Sequence, residues 1–96
     1  MVIETMTFRL RPGVAEPDFL VADRRVQTEF AYHQPGMIRR TTGRSQDGTW
    51  VVVDLWGSAT DADGCGDRWH REPAPLAFMA LVDDTTVRTQ RFETLD

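Results

Sequence analysis

Apolar and polar side chains alternate in four stretches of the chain, and each alternating stretch predicts a β-strand. The first is VIETMTFRL (2–10) and the second is MIRRTTGRS (37–45). The third, TWVVVDLWG (49–57), is β-branched and aromatic almost throughout. QDG (46–48) between them is typical of a tight turn. TTVRTQRFETL (85–95) alternates again and predicts a fourth strand.

Two stretches between these strands have the spacing of helices. In the first, Pro17 suits the opening helical position. Its apolar residues recur every three or four positions and predict one buried face, formed by Phe19, Ala22, Val26 and Phe30; His33 follows at the same spacing. In the second, Ser58 is a good N-cap, with Asp61 three residues later. Two prolines in EPAPLAF (72–78) break this second helix, and the apolar run that follows predicts a short third helix.

The resulting order, β-α-β-β-α-β, predicts an α+β, ferredoxin-like fold in a single domain over residues 1–96. This fold is a four-stranded antiparallel sheet with helices on one face. The third predicted strand is apolar on both faces, with Val51, Val53 and Leu55 pointing away from Trp50 and Val52. Since a strand of this kind is buried on both sides, we expect the open sheet face to pack against a second copy of the chain.

Composition narrows the class of partner. The net charge of −4 disfavours nucleic acid as a partner, because a nucleic-acid partner requires a clustered basic face. No apolar run approaches the roughly 20 residues of a membrane span, and the alternating start of the chain resembles a strand rather than a signal peptide. The single Cys65 excludes an internal disulfide and fits the reducing cytoplasm.

Two carboxylates fall on apolar strand faces and are candidates for acid–base chemistry. Glu4 shares a face with Met6 and Phe8, and Asp54 shares one with Trp56. If the first and third strands are neighbours, both carboxylates line the helix side of the sheet. A carboxylate in such a place has a raised pKa, which suits a general base. The alternative is a buried ion pair with an arginine such as Arg39 or Arg91.

Histidine, tryptophan and cysteine supply the remaining candidates. His70 lies just before the proline break and could accept a proton near neutral pH; the alternative is an exposed residue at a helix end, as expected for His33. Trp56 and Trp69 could wall a pocket for a flat ligand or simply pack in the core. Cys65 has no neighbouring His in sequence, and the spacing of Cys and His predicts no metal site.

Several motifs together resemble the dimeric α/β-barrel superfamily, and within it the antibiotic biosynthesis monooxygenase group. They are LRPG after the first strand, QPGMIRR at the second, DGTWVVVDLWGS across the third, and EPAPLAF. The resemblance covers nearly all of the chain. It implies a homodimer whose ligands sit between the helices and the sheet of each subunit. It also implies small aromatic or polyketide-like substrates and, for the monooxygenases, no cofactor.

The chain departs from several members of that superfamily. Haem-degrading members use a His late in the second helix and an Asn on the first strand; here Pro75 falls near that His, and the chain contains no Asn. Haem is therefore disfavoured. Cyclase-like members carry an H-P-x-H segment where this chain has Glu72-Pro73-Ala74-Pro75. The monooxygenases favour Trp, Tyr, Asn and Arg around the pocket, of which all but Asn are present.

Three functions remain open on these grounds: a cofactor-independent monooxygenase of a small aromatic substrate, a cyclase or isomerase using the same pocket without oxygen, and a non-catalytic ligand-binding dimer. An enzyme is favoured over the binding module. For the catalytic group we expect His70, Asp54 or Glu4. For contacts with the substrate we expect Trp56, Trp69, Arg39, Tyr32, Phe8 and Phe78.

Overall fold

The computed structural model describes all 96 residues of the chain. The strands are β1 (Val2–Leu10), β2 (Met37–Arg44), β3 (Trp50–Trp56) and β4 (Val82–Glu93). The helices are α1 (Glu16–Glu29), α2 (Ala59–Trp69) and α3 (Pro73–Met79), and a 3₁₀ turn, Ala31–His33, follows α1. The predicted order of elements is confirmed. The fourth strand begins at Val82, three residues before the predicted start at Thr85.

The four strands form one antiparallel sheet in the order β2-β3-β1-β4. This is the strand order of the ferredoxin-like fold, so the predicted fold class is confirmed. The helices cover one face, and the core lies between them and the sheet. Its centre is an aromatic cluster in which Phe19 contacts Phe8, Phe78 and Trp50, with ring centroids 4.6 to 5.7 Å apart. None of the helices has the length and apolar character needed to cross a membrane.

The helix boundaries follow the local signals in the sequence. Ser58 caps α2 by accepting a hydrogen bond from the backbone N–H of Asp61, and its hydroxyl donates to the Asp61 carboxylate. Pro17 and Pro73 lie in the first turns of α1 and α3, where their missing N–H removes no helical bond. The break between α2 and α3 falls at His70, which ends α2.

A β-bulge near the start of β2 changes which side chains face the helices. Met37 pairs with Trp56 and Arg39 with Leu55, so one extra residue is accommodated between them. Beyond the bulge Arg40 is opposite Asp54. Uninterrupted alternation from Met37 would turn Arg39 toward the helices. The bulge reverses that parity and turns Arg40 inward instead.

The opposite face of the sheet has no cover within the chain. Leu55, Ile3 and Phe92 form a row across β3, β1 and β4 on this face, and Arg39 continues the row on β2. Phe92 is 46% exposed and Ile38, at the bulge, is 49% exposed. Exposed apolar groups in such a continuous patch are typical of an interaction surface.

Candidate functional site

A cavity of about 180 Å³ lies between the helix side of the sheet and α2. Residues from all four strands and from α2 line it. They are Glu4, Thr5, Met6, Arg40, Val52, Asp54, Trp56, Cys65, Gly66, Trp69 and Thr89. The walls combine apolar and aromatic surface with a few polar groups, which is the usual composition of a small-molecule site.

Asp54 is the central polar group of this cavity. It lies mid-strand on β3, opposite Glu4 on one side and Arg40 on the other. Its Oδ1 is buried and has no hydrogen-bond partner. Burial is the main reason that the pKa of Asp54 is raised from 3.8 to about 6; the Arg40 charge opposes this rise and the Glu4 charge adds to it. Asp54 can therefore take up or release a proton near neutral pH.

Trp56 supplies a second unsatisfied group two positions further along β3. Its side chain is fully buried, and its Nε1–H has no acceptor. A buried donor without a partner costs about 1–3 kcal/mol, so its retention suits a site where a ligand supplies the acceptor. Because alternate residues of a strand share a face, the free acceptor of Asp54 and the free donor of Trp56 serve the same cavity.

Arg40 brings a buried positive charge to the wall. Its side chain is 2% exposed. The guanidinium donates from Nη2 to Asp23 at 2.8 Å and from Nη1 to Gln27 at 2.8 Å, both on α1. Its Nε lies 4.0 Å from Asp54 Oδ1, which is beyond hydrogen-bond distance. Arg40 therefore acts on Asp54 through its charge and not through a bond.

Glu4 is held more firmly than Asp54. Arg91 donates to its Oε2 from Nε and from Nη2, at 3.1 and 2.9 Å. The same Nη2 donates to Asp63 of α2 at 2.8 Å. Through these hydrogen bonds Arg91 links β1, β4 and α2 at the edge of the cavity. Glu4 thus forms the ion pair with Arg91 that was the alternative to acid–base chemistry, but the pair is partly exposed and not buried as expected.

Trp69 and Cys65 complete the α2 side. The Trp69 ring meets Phe30 and Phe78 edge-on, with centroids 5.7 Å away in both cases. Burial raises the pKa of the Cys65 thiol to about 12, and the nearby Asp54 charge adds to the effect. The thiol is therefore protonated at neutral pH and is not an activated nucleophile. No group of three or more His, Cys, Asp or Glu side chains clusters as a metal site would require.

The structure brings together four of the predicted site residues: Glu4, Asp54, Trp56 and Trp69 line one cavity. Five others lie elsewhere. His70 is exposed at the end of α2 and does not line the cavity. Arg39 lies on the open face of the sheet, because of the bulge, and Arg40 takes the place expected for it.

The other three predicted site residues, Phe8, Phe78 and Tyr32, also lie outside the cavity. Phe8 and Phe78 are 1% and 0% exposed and fill the aromatic core. The Tyr32 hydroxyl accepts a hydrogen bond from the backbone N–H of Arg40 at 2.9 Å. Tyr32 thus supports the strand that carries Arg40, and the residue is 47% exposed.

Arg40 is the residue that the sequence did not single out. We expected Arg39 to face inward, and the structure shows Arg40 there instead. The signal that could have indicated Arg40 is the polar spacing on α1. Asp23 and Gln27 lie four residues apart, on one side of that helix, and both bind Arg40.

No protein-family model and no curated protein matches this sequence. Solved structures do match over nearly its whole length. SnoaB, a cofactor-independent oxygenase from Streptomyces nogalater, superposes with a TM-score of 0.80 at 22% identity, over 99% of this chain and 93% of that one. The chain has the fold of this oxygenase.

Two further structures agree. One named an antibiotic biosynthesis monooxygenase has a TM-score of 0.77 at 14% identity, with 100% of both chains covered. Rv0793 from Mycobacterium tuberculosis has a TM-score of 0.72 at 19% identity, over 99% of this chain and 95% of that one. These similarities confirm the fold expected from the resemblance to the antibiotic biosynthesis monooxygenase group.

Proposed function

We propose that this chain is a cofactor-independent, monooxygenase-like enzyme that acts on a small aromatic or polyketide-like molecule. One observation carries the proposal: a buried acceptor, Asp54 Oδ1, and a buried donor, Trp56 Nε1, are both unpartnered in one aromatic-walled cavity. A ligand with one hydrogen-bond donor and one acceptor oxygen satisfies both: the donor bonds to Asp54 Oδ1, and the oxygen accepts from Trp56 Nε1. The fold shared with a cofactor-independent oxygenase supports the same class.

In the proposed reaction Asp54 is the base. It takes a proton from a phenol or an activated methylene of the substrate, and the Trp56 Nε1–H stabilises the oxygen on which charge develops. Arg40 adds a positive charge at the same wall. The substrate anion then reduces O₂. For an activated methylene the sum is R₂CH₂ + O₂ → R₂C=O + H₂O, so the substrate supplies all four electrons.

Oxygen uptake tests this proposal directly. The purified protein, with a chelator present and no added cofactor, is mixed with a panel of hydroxylated naphthalenes and anthrones while an electrode records dissolved O₂. We expect uptake with at least one compound, and loss of uptake in Asp54→Asn. His70→Gln is the control, since His70 is exposed and outside the cavity. No uptake with any compound, or undiminished uptake in Asp54→Asn, would contradict the assignment.

A second candidate function is non-catalytic binding of a small ligand. The observation in its favour is the firm pairing of Glu4 with Arg91, which removes one of the two carboxylates from acid–base chemistry. Binding of panel compounds, seen as quenching of tryptophan fluorescence, without chemical change would favour this function. Conversion of a compound at an equal rate under nitrogen would instead indicate a cyclase or isomerase with the same base.

We also propose that the chain is a homodimer that buries the open sheet face. The apolar row formed by Leu55, Ile3 and Phe92 supports this, since nothing in the chain covers it. Light scattering after size exclusion is expected to give twice the chain mass of 10.9 kDa. Val53→Asp on that face should give the monomer, while Val21→Asp on exposed α1 should remain a dimer. A wild-type mass of 10.9 kDa would rule the dimer out.

A further inference from the structure

The buried Arg40 guanidinium makes all its side-chain hydrogen bonds on the side away from Asp54. Nη2 donates to Asp23 Oδ1 and Nη1 donates to Gln27 Oε1, each at 2.8 Å. Both acceptors belong to α1 and neither lines the cavity. On the cavity side only Nε approaches Asp54, and it stops at 4.0 Å.

The two acceptors are themselves held in place. Asp23 Oδ1 accepts a second hydrogen bond from the Thr42 hydroxyl at 2.9 Å. Gln27 donates from Nε2 to the backbone carbonyl of Arg40 at 3.1 Å, so it forms hydrogen bonds with both the side chain and the main chain of Arg40. A charge-assisted bond to Asp23 and a bond to Gln27 therefore compete with any closer contact between Arg40 and Asp54.

We propose that Asp23 and Gln27 are positioning residues for the candidate site: they hold the Arg40 guanidinium toward α1, and so leave Asp54 free to accept a proton. The proposal builds on the function proposed above for Asp54. With these restraints in place, Asp54 faces a positive charge but forms no hydrogen bond to it. Without them, Arg40 is free to bond to Asp54 and to hold that carboxylate in its ionised form.

The surroundings of Asp54 explain why the position of Arg40 matters. Charged or titratable groups face it from each neighbouring element: Glu4 from β1, Arg40 from β2, Asp23 from α1 and Cys65 from α2. On β4, Arg91 is already bonded to Glu4. Among the groups that act on Asp54, only Arg40 favours its ionised form. A small movement of this one cation therefore changes how readily Asp54 holds a proton.

The test is a carboxyl-detected NMR titration of Asp54 in the full chain, in three variants and the wild type. Asp23→Asn removes the charged acceptor, and Gln27→Met removes the neutral acceptor without changing any charge. Asp84→Asn, an exposed position on β4, is the control for net charge. An opposite charge that comes within bonding distance lowers a carboxyl pKa by about 1–3. We expect the pKa of Asp54 to fall by at least about 1 in Asp23→Asn, to fall by less in Gln27→Met, and to stay unchanged in Asp84→Asn.

Two results would overturn the proposal. One is an unchanged pKa of Asp54 in Gln27→Met, even with a fall in Asp23→Asn, because charge removal alone would then explain the effect. The other is the same fall in Asp84→Asn. If Asp23→Asn does not fold, the Gln27→Met titration decides alone. The titration needs no substrate, so it fails or succeeds independently of the proposed function. If the pKa of Asp54 shifts in the variants but the protein consumes no oxygen, the positioning role stands and the proposed function does not. If the protein is active but the pKa does not shift, the proposed function stands and the positioning role does not.

Discussion

Asp54 and Trp56 lie two positions apart on the same face of β3, and each has one buried polar atom without a hydrogen-bond partner. One of these atoms is an acceptor and the other is a donor. In a folded protein nearly all buried polar atoms are paired. Two exceptions on the wall of a single cavity support the proposal that a ligand completes the hydrogen bonding there.

Asp54→Asn should abolish most of the activity and at the same time stabilise the protein at neutral pH. Loss of a general base lowers kcat by about 10²- to 10⁴-fold. The pKa of the Asp54 carboxyl is raised to about 6 in the folded chain, so its negative charge destabilises the fold at pH 8. Because the amide carries no charge, the free energy of unfolding of the variant at pH 8 should exceed that of the wild type by up to about 3 kcal/mol. Urea unfolding and oxygen uptake measure the two effects. An inactive variant of lower stability would instead indicate a structural role.

The pH dependence of stability provides an independent test of Asp54. Its pKa is higher in the folded chain than its ordinary value of 3.8, so the folded state binds more protons between about pH 4 and pH 6. The contribution of Asp54 to the free energy of unfolding therefore falls as the pH rises through this window. The difference in the free energy of unfolding between Asp54→Asn and the wild type should grow from near zero at pH 4 to its full value above pH 6. A difference that is constant with pH would contradict the raised pKa.

The shifted pKa of Asp47 does not disturb this comparison. Asp47 has a pKa lowered to about 2 by hydrogen bonds from Ser45 and Thr49, and its contribution to stability has the opposite sign. It is present in both proteins. Its effect therefore cancels when the variant is subtracted from the wild type.

Trp56→Phe should separate the donor from the aromatic wall. Phenylalanine keeps a ring at this fully buried position but removes the unpaired Nε1–H. Loss of one preorganised donor lowers kcat by about 10²- to 10³-fold. The smaller ring loses about 1–2 kcal/mol of packing, which removal of the unpaired donor offsets, so the stability should change little. Trp50→Phe is the matched control, because Trp50 is buried on the same strand but lies outside the cavity. Equal losses of activity in the two variants would argue against a donor role.

Two glycines should respond to alanine in opposite directions. Gly36 has a φ of +79°, and an added Cβ would meet Asp61 Oδ2 at 2.1 Å. Gly36→Ala should therefore destabilise the chain by about 1–3 kcal/mol. Gly66 lies within α2 with open space around its missing Cβ, so Gly66→Ala should stabilise it by about 1 kcal/mol. Thermal unfolding measures both, and a stabilised Gly36→Ala variant would contradict the contact with Asp61.

Local patterns in the sequence were sufficient for most of the fold. Alternation along β1 and β3 specified the faces of both strands, and it correctly placed Glu4 and Asp54 on the helix side. Ser58 and the prolines marked the ends of the helices because capping and proline chemistry act within a few residues. The order of the elements then left a four-stranded antiparallel sheet as the expected arrangement, which the structure confirms.

The arrangement of the site depended on contacts between distant parts of the chain. The bulge in β2, which is defined by pairing with β3, turned Arg40 rather than Arg39 inward. Packing of α2 on the sheet brought Trp69 to the cavity and left His70 in solvent. The raised pKa of Asp54 comes from burial by residues far away in the sequence. Strand parity and helix ends are local properties of a chain, whereas register, burial and charge proximity exist only once the elements pack together.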